Sequence, residues 1–160
     1  MIEIRVLTEP FDIAAEQEAL WRGQPQVGAL VSFLGLMRDM NEGVSVTRMT
    51  LEHYPGMTEK ALAAIAEEAA GRWDLQDIRI LHRVGELRPQ DPIVLVAVTS
   101  AHRGEAFRAC EFLIDYLKTK APFWKKEITG EGERWVDARI ADEDAAARWQ
   151  GPAPHPSRKG

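Results

Sequence analysis

Residues 93–128 read IVLVAVTSAHRGEAFRACEFLIDYLKTKAPFWKKEI, and the hydrophobic spacing changes twice along them. Ile93 to Ser100 is apolar on both faces, the pattern of a strand buried inside a sheet. From Glu105 to Lys120 the period becomes helical, with Phe107, Cys110, Ile114 and Leu117 at i, i+3, i+7 and i+10. Pro122 stops that helix, because its ring removes a backbone donor and clashes with the preceding turn. Trp124 to Ile128 then reads as a strand. The stretch therefore predicts a buried strand, one long helix and a returning strand.

The rest of the chain mixes the same two elements. Ile2 to Leu7 alternates Ile2, Ile4 and Val6 against Glu3 and Arg5, a strand. Asp12 is a candidate cap for a helix running to about Trp21. Val27 to Leu34 is a second buried strand, Asp39 to Gly43 a loop, and Val44 to Tyr54 a long strand. Pro55-Gly56 is turn chemistry, and Met57 to Trp73 places Leu62, Ile65, Ala69 and Trp73 at helical spacing. Ile78 to Val84 alternates again, with a turn from Leu87 to Pro92. Arg134 to Ile140 pairs with Trp124 to Ile128 around Gly130 and Gly132, and a short alanine-rich helix follows. Strict βαβ alternation is absent, so the expected class is α+β, a mixed and mostly antiparallel sheet with packed helices. One domain over residues 1–150 is expected, followed by a proline-rich, mobile tail at 151–160.

Composition narrows the function. The chain has 160 residues, Lys+Arg 20 against Asp+Glu 25, a net charge of −5 and 45% hydrophobic residues. That balance excludes disorder and argues against nucleic acid as the main partner. The longest apolar run, Ile93 to Val98, is far short of a membrane span, and no secretory signal opens the chain. A single cysteine makes no internal disulfide and fits a reducing cytoplasm. Cys110 lies on its helix's apolar stripe and reads as core rather than nucleophile. The four histidines lack ligand spacing, and no phosphate loop, HExxH or GxSxG is present, so neither metal nor cofactor is expected.

What remains is cationic. Lys118, Lys120, Lys125 and Lys126 crowd a short segment of an otherwise acidic chain. That segment is a candidate anion site, with a solvated basic helix end as the plainer alternative. Because the helix cannot pass Pro122 intact, Lys118 and Lys125 are free to converge from a helix and a strand. Beside the apolar Pro122-Phe123-Trp124 they lose hydration, which favours the neutral amine as base or nucleophile. His102-Arg103 opens the long helix, where backbone N–H groups attract phosphate, or where both side chains simply solvate the helix start. Arg38 follows Phe33-Leu34-Gly35-Leu36-Met37 at a strand end and points into a pocket or into water. His82-Arg83 lies mid-strand, where a histidine is more often structural.

Taken in order, these segments resemble the family of the large, catalytic subunit of molybdopterin synthase. The carrying residues are Gly28-Ala29 through Phe33, Gly35 and Arg38; Leu51-Glu52-His53-Tyr54-Pro55-Gly56-Met57; and His82-Arg83-Val84-Gly85. They continue with His102-Arg103 through Phe107, the run Lys118-Thr119-Lys120-Ala121-Pro122-Phe123-Trp124-Lys125-Lys126-Glu127, and Trp135-Val136. The match covers roughly residues 2 to 140, and the lysine–proline–tryptophan run is its most specific part.

The resemblance implies an α/β-hammerhead-type fold and a homodimer. It further implies assembly with two copies of a small ubiquitin-like sulfur-carrier subunit ending in a Gly-Gly thiocarboxylate. The implied reaction transfers sulfur to cyclic pyranopterin monophosphate at two carbons, forming the dithiolene of molybdopterin. By the same resemblance Lys118 and Lys125 are catalytic, while Leu36, Met37, Arg38, His102, Arg103, Lys126, Glu127 and Arg139 bind substrate. The charges suit that chemistry, since two anionic reactants approach one another only with cations between them. Two readings from other classes compete on residues alone: a non-catalytic anion-binding scaffold, and a lysine Schiff-base enzyme acting on a phosphorylated carbonyl compound.

Overall fold

The computed structural model describes residues 1–136 and 140–150, with the side chains of residues 140–142 left aside. The proline-rich tail at 151–160 and Arg139 lie outside the described residues. The elements run β1 (Ile2–Leu7), α1 (Ile13–Trp21), β2 (Ala29–Leu36), β3 (Met40–Asn41), β4 (Val44–His53), α2 (Met57–Arg72) and β5 (Ile78–Arg83). They continue with β6 (Gly85–Leu87), β7 (Pro92–Ser100), α3 (Arg103–Lys120), β8 (Phe123–Thr129), β9 (Gly132–Val136) and α4 (Ile140–Ala147).

Two sheets organise them. The first has strand order β1-β5-β7-β2, with β1 parallel to β5 and the other pairs antiparallel. The second has order β3-β4-β8-β9, with β6 pairing β4 off that path, and all its pairs are antiparallel. This is the α+β class that the mixed spacing predicts. Among the described residues no helix is long and apolar enough to cross a membrane.

β7 explains why Ile93 to Val98 is apolar throughout. Its neighbours β5 and β2 flank it, and alternation sends Val94, Val96 and Val98 to one face and Leu95 and Ala97 to the other. The first set joins Ile78 and Ile80 in the main core beneath α2 and α3. Leu95 and Ala97 are equally inaccessible on the opposite face, where α1 rests against β7. Asp12 caps α1, its side chain accepting from the Ala15 backbone N–H.

Three sequence expectations need correction. Phe107 is 61% exposed, and the buried face of α3 is Ala106, Ala109, Cys110, Phe112, Leu113, Tyr116 and Leu117. Residues 39–43 are not simply a loop: Met40–Asn41 pairs with Val44–Ser45 across Glu42 and Gly43, both at positive φ. Those dihedrals suit a tight two-residue hairpin, which glycine at the second position permits. The last strand ends at Val136, and Ile140 opens α4 instead of closing a strand.

Candidate functional site: a cationic cleft between the two sheets

The end of β2 is bent on purpose. A Cβ at Gly35 would sit 2.8 Å from Val94 Cγ1, so only glycine lets β2 lie this close to β7. The register then shifts between Gly35 and Leu36. The strand ends at Leu36, and Met37 and Arg38 follow beyond it. Met37 is pinned there by two backbone hydrogen bonds, its N–H to the Asp91 carbonyl at 2.9 Å and its carbonyl from the Gln90 N–H at 2.8 Å.

α3 arrives from the other side. Lys118 lies in its last turn, next to buried Leu117, and the helix ends at Ala121 before Pro122. The chain reverses into β8, where alternation puts Phe123, Lys125, Glu127 and Thr129 on the inner face. Leu36, Met37, Arg38, Lys118, Lys125 and Glu127 thus line one cleft of about 330 Å³, six predicted site residues drawn together from β2, α3 and β8. Its apolar wall is Met37, Met49 and Leu51, part of a small second core with Val46 and Leu87.

His82 also lines the cleft, a placement that the sequence reading did not favour. Its ring stacks on Phe123, and its Nδ1 lies 2.8 Å from the Arg83 carbonyl. A carbonyl only accepts, so the proton of the neutral ring belongs on Nδ1 and Nε2 is left as an acceptor. Burial pushes its pKa down from 6.5 to about 3, with the nearby Lys118 and His53 charges adding to the effect.

Glu127 is 4% exposed and heavily bonded. Asn41 Nδ2 donates to both its carboxylate oxygens, at 3.0 and 3.2 Å, and Arg134 donates to Oε1 from Nε at 3.2 Å and Nη2 at 3.1 Å. Lys125 Nζ stands 4.0 Å from Oε2. Neither Asn41 nor Arg134 was singled out from sequence; their signal is the approach of β3 and β9 to β8, which residue spacing does not reveal.

Other predicted residues lie elsewhere. Lys126 faces away from the cleft, its Nζ 3.7 Å from Glu133 and 5.6 Å from the centre of the Trp135 ring. His102 and Arg103 are exposed at the start of α3, and sixteen residues at about 1.5 Å each put His102 ~24 Å along the helix from Lys118. Cys110 is buried in the core. Among the described residues, no group of three His, Cys, Asp or Glu side chains could hold a metal ion.

The chain is similar to known proteins along most of its length. The family model described as MoaE protein matches residues 6–120. A molybdopterin synthase catalytic subunit from Ralstonia nicotianae is 63% identical over 149 residues, covering 93% of this chain and 85% of its own. A solved structure of the molybdopterin biosynthesis MoaE protein from Burkholderia ambifaria is 56% identical. It has a TM-score of 0.81, covering 95% of this chain and all of the other. A molybdopterin synthase from Staphylococcus aureus is 36% identical with a TM-score of 0.77, covering 83% of this chain and 96% of that one. With the family model spanning most of its length and relatives above half identity along nearly all of it, this chain belongs to the MoaE protein family.

Proposed function

We propose that the chain is the catalytic subunit of a molybdopterin synthase. It transfers sulfur from the thiocarboxylate of a small ubiquitin-like carrier subunit to cyclic pyranopterin monophosphate, once at each of two carbons. The observation that carries this reading is the meeting of Arg38, Lys118 and Lys125 in one cleft, where Glu127 is the acidic lining residue. The cyclic phosphate and the thiocarboxylate are both anions, and unlike a carboxylate-lined pocket this cleft lowers the cost of bringing them together. Arg38 offers parallel donors to the phosphate. Lys118 and Lys125 stand as the catalytic pair, neutralising charge at the sulfur and passing protons as the pterin ring rearranges. Leu36 and Met37 form an apolar wall against which the heterocycle is held in place.

A catalytic subunit by name implies a second subunit, and the carrier's extended Gly-Gly end is slender enough to enter the cleft. We take the assembly to be a homodimer carrying two small subunits, working in the reducing cytoplasm where its one cysteine stays a thiol. His102, Arg103 and Arg139 complete the substrate contacts, and Lys126, turned toward Glu133, is not counted among them. Because the start of α3 is ~24 Å from Lys118, His102 and Arg103 serve a cleft of the neighbouring protomer.

Reconstitution tests the reading: this chain, thiocarboxylated carrier and cyclic precursor, with dithiolene product as the readout. Lys118→Ala and Lys125→Ala are each expected to abolish product while circular dichroism and thermal midpoint stay unchanged. Full activity in both variants overturns it. Loss of carrier binding with no turnover in the unaltered chain would instead favour a docking scaffold.

A further inference from the structure

His82 lines the cleft, yet the sulfur transfer proposed above gives it no task. It stands near the end of β5, buried, with its ring stacked on Phe123 at a centroid distance of 3.8 Å. Its Nδ1 lies 2.8 Å from the Arg83 carbonyl, which fixes the turn of the ring and keeps the neutral form's proton on Nδ1. The imidazole is thus held by one face and one nitrogen. Nε2, on the edge away from the main chain, carries a lone pair, and no group among the described residues donates to it. That lone pair is available to an occupant of the cleft.

The acceptor also stays uncharged. Burial, with the charges of Lys118 and His53 adding to it, pushes the His82 pKa down to about 3, so the imidazolium does not form near neutral pH. Charge matters beside two anionic reactants, because a carboxylate in this place would repel both. The carboxylate that does line the cleft is occupied: Asn41 and Arg134 donate to Glu127, and Lys125 forms an ion pair with it at 4.0 Å. Arg38 and the two lysines bring donors only. A phosphorylated heterocycle with N–H groups needs an acceptor that does not repel its phosphate, and a neutral imidazole nitrogen meets that need.

We infer that His82 is a specificity-determining residue, its Nε2 accepting a hydrogen bond from a ring N–H of the heterocyclic substrate. The inference rests on the reading of this cleft as the substrate site and adds how the substrate is oriented there. The cations take its anionic end, His82 reads the neutral edge of its ring, and together they fix which way round it lies. Phe123 and the Arg83 carbonyl keep the imidazole from turning away.

The test uses the full chain with its histidines labelled in nitrogen-15, the His82 signals being assigned by their loss in His82→Gln. The unaltered protein should show a protonated Nδ1 and a bare Nε2. Saturating cyclic precursor should move the Nε2 signal in the direction a gained donor moves it, while a peptide copying the carrier's Gly-Gly end should not. A proton already on Nε2, or a shift produced by the peptide instead, overturns the inference. Equilibrium dialysis of the precursor on the same samples separates the two levels. A chain that does not bind the precursor contradicts the proposed site, and the role of His82 falls with it. A chain that binds the precursor with Nε2 unmoved overturns the role of His82 alone.

Kinetics of sulfur transfer supply a second measurement. His82→Phe keeps a ring against Phe123 and removes the acceptor. It should raise KM for the precursor about tenfold, the effect of one neutral hydrogen bond, with KM for the thiocarboxylated carrier unchanged. His82→Gln, whose Oε1 reaches the place of Nε2, should recover most of that loss. No rise, or equal rises in both KM values, overturns the inference, since a merely structural histidine behaves in that way. If His82→Phe does not fold, the nitrogen-15 titration of the unaltered chain decides.

Discussion

The imidazole of His82 lies flat against the ring of Phe123, with centroids 3.8 Å apart and planes 16° from parallel. The stack closes the floor of the cleft and takes His82 almost wholly out of water, at 3% exposure. That loss of hydration drives its pKa to about 3, whereas the unfolded chain titrates near 6.5. Between those values the unfolded state binds the extra proton, so stability falls as pH falls from 6.5 toward 3. One such group costs about 3 kcal/mol between pH 7 and pH 4. Urea unfolding of the unaltered chain and of His82→Gln across that range should converge toward low pH by about that amount. Parallel curves would show that another group governs the acid limb.

Cys110 should be inert in the folded protein. It is 4% exposed, its Sγ lies 3.8 Å from the Val96 carbonyl, and burial pushes the thiol pKa up to about 12. Only the thiolate reacts, so a disulfide reagent at neutral pH should label one thiol after denaturation and essentially none before it. Rapid labelling without denaturant would mean that α3 lifts from β7 readily.

Two glycines should respond in opposite directions to alanine. A Cβ at Gly28 would stand 2.1 Å from the Ala101 carbonyl oxygen, a backbone atom that cannot rotate away. The Gly28 N–H is bonded to the Ser100 carbonyl at 3.0 Å, so the two segments cannot part without losing that bond. Gly28→Ala should therefore cost about 1–3 kcal/mol or more. Gly71, in the exposed last turn of α2, has nothing within 4 Å of such a Cβ, and Gly71→Ala should add about 0.5 kcal/mol. Thermal melts of the pair check both signs.

Mixed dimers should test whether His102 and Arg103 serve a neighbouring cleft. Lys118→Ala and Arg103→Ala are each expected to be nearly inactive alone. Mixed in equal amounts after dissociation and reassociation, they should recover about a quarter of normal activity. Half the dimers are then mixed, and each of those restores one of its two sites. Activity equal to the average of the two single variants would mean that both residues act within one protomer.

The sequence was informative wherever one feature had one physical cause. The stop at Pro122 is such a case: because a helix cannot pass it, Lys118 and Lys125 had to lie on different elements, and both face the cleft. β7 is another, since the unbroken apolar run from Ile93 to Val98 needs a strand covered on both faces. The stripe on α3 was misjudged because Phe107 is apolar yet sits on the outside, while the small Ala106 and Ala109 make the close packing against the sheet. Spacing weighs a residue's size, and tight packing here rewards its absence. Asn41 and Arg134 escaped notice for a different reason. Their role depends on 86- and 7-residue separations that meet at Glu127 only after β3, β8 and β9 have paired.

The parallel pairing of β1 with β5 bears on how the protein emerges from the ribosome. Among the described residues β1 pairs with β5 alone, with Ile2 opposite Ile78 and Leu7 opposite Arg83. Made well before its partner, it has no strand to pair with until β5 follows, and its backbone donors and acceptors stay in water until then. A nascent chain stalled before β5 would hold a sticky, unpaired N-terminal segment, which makes early translational pausing the stage at which this protein is most exposed to aggregation.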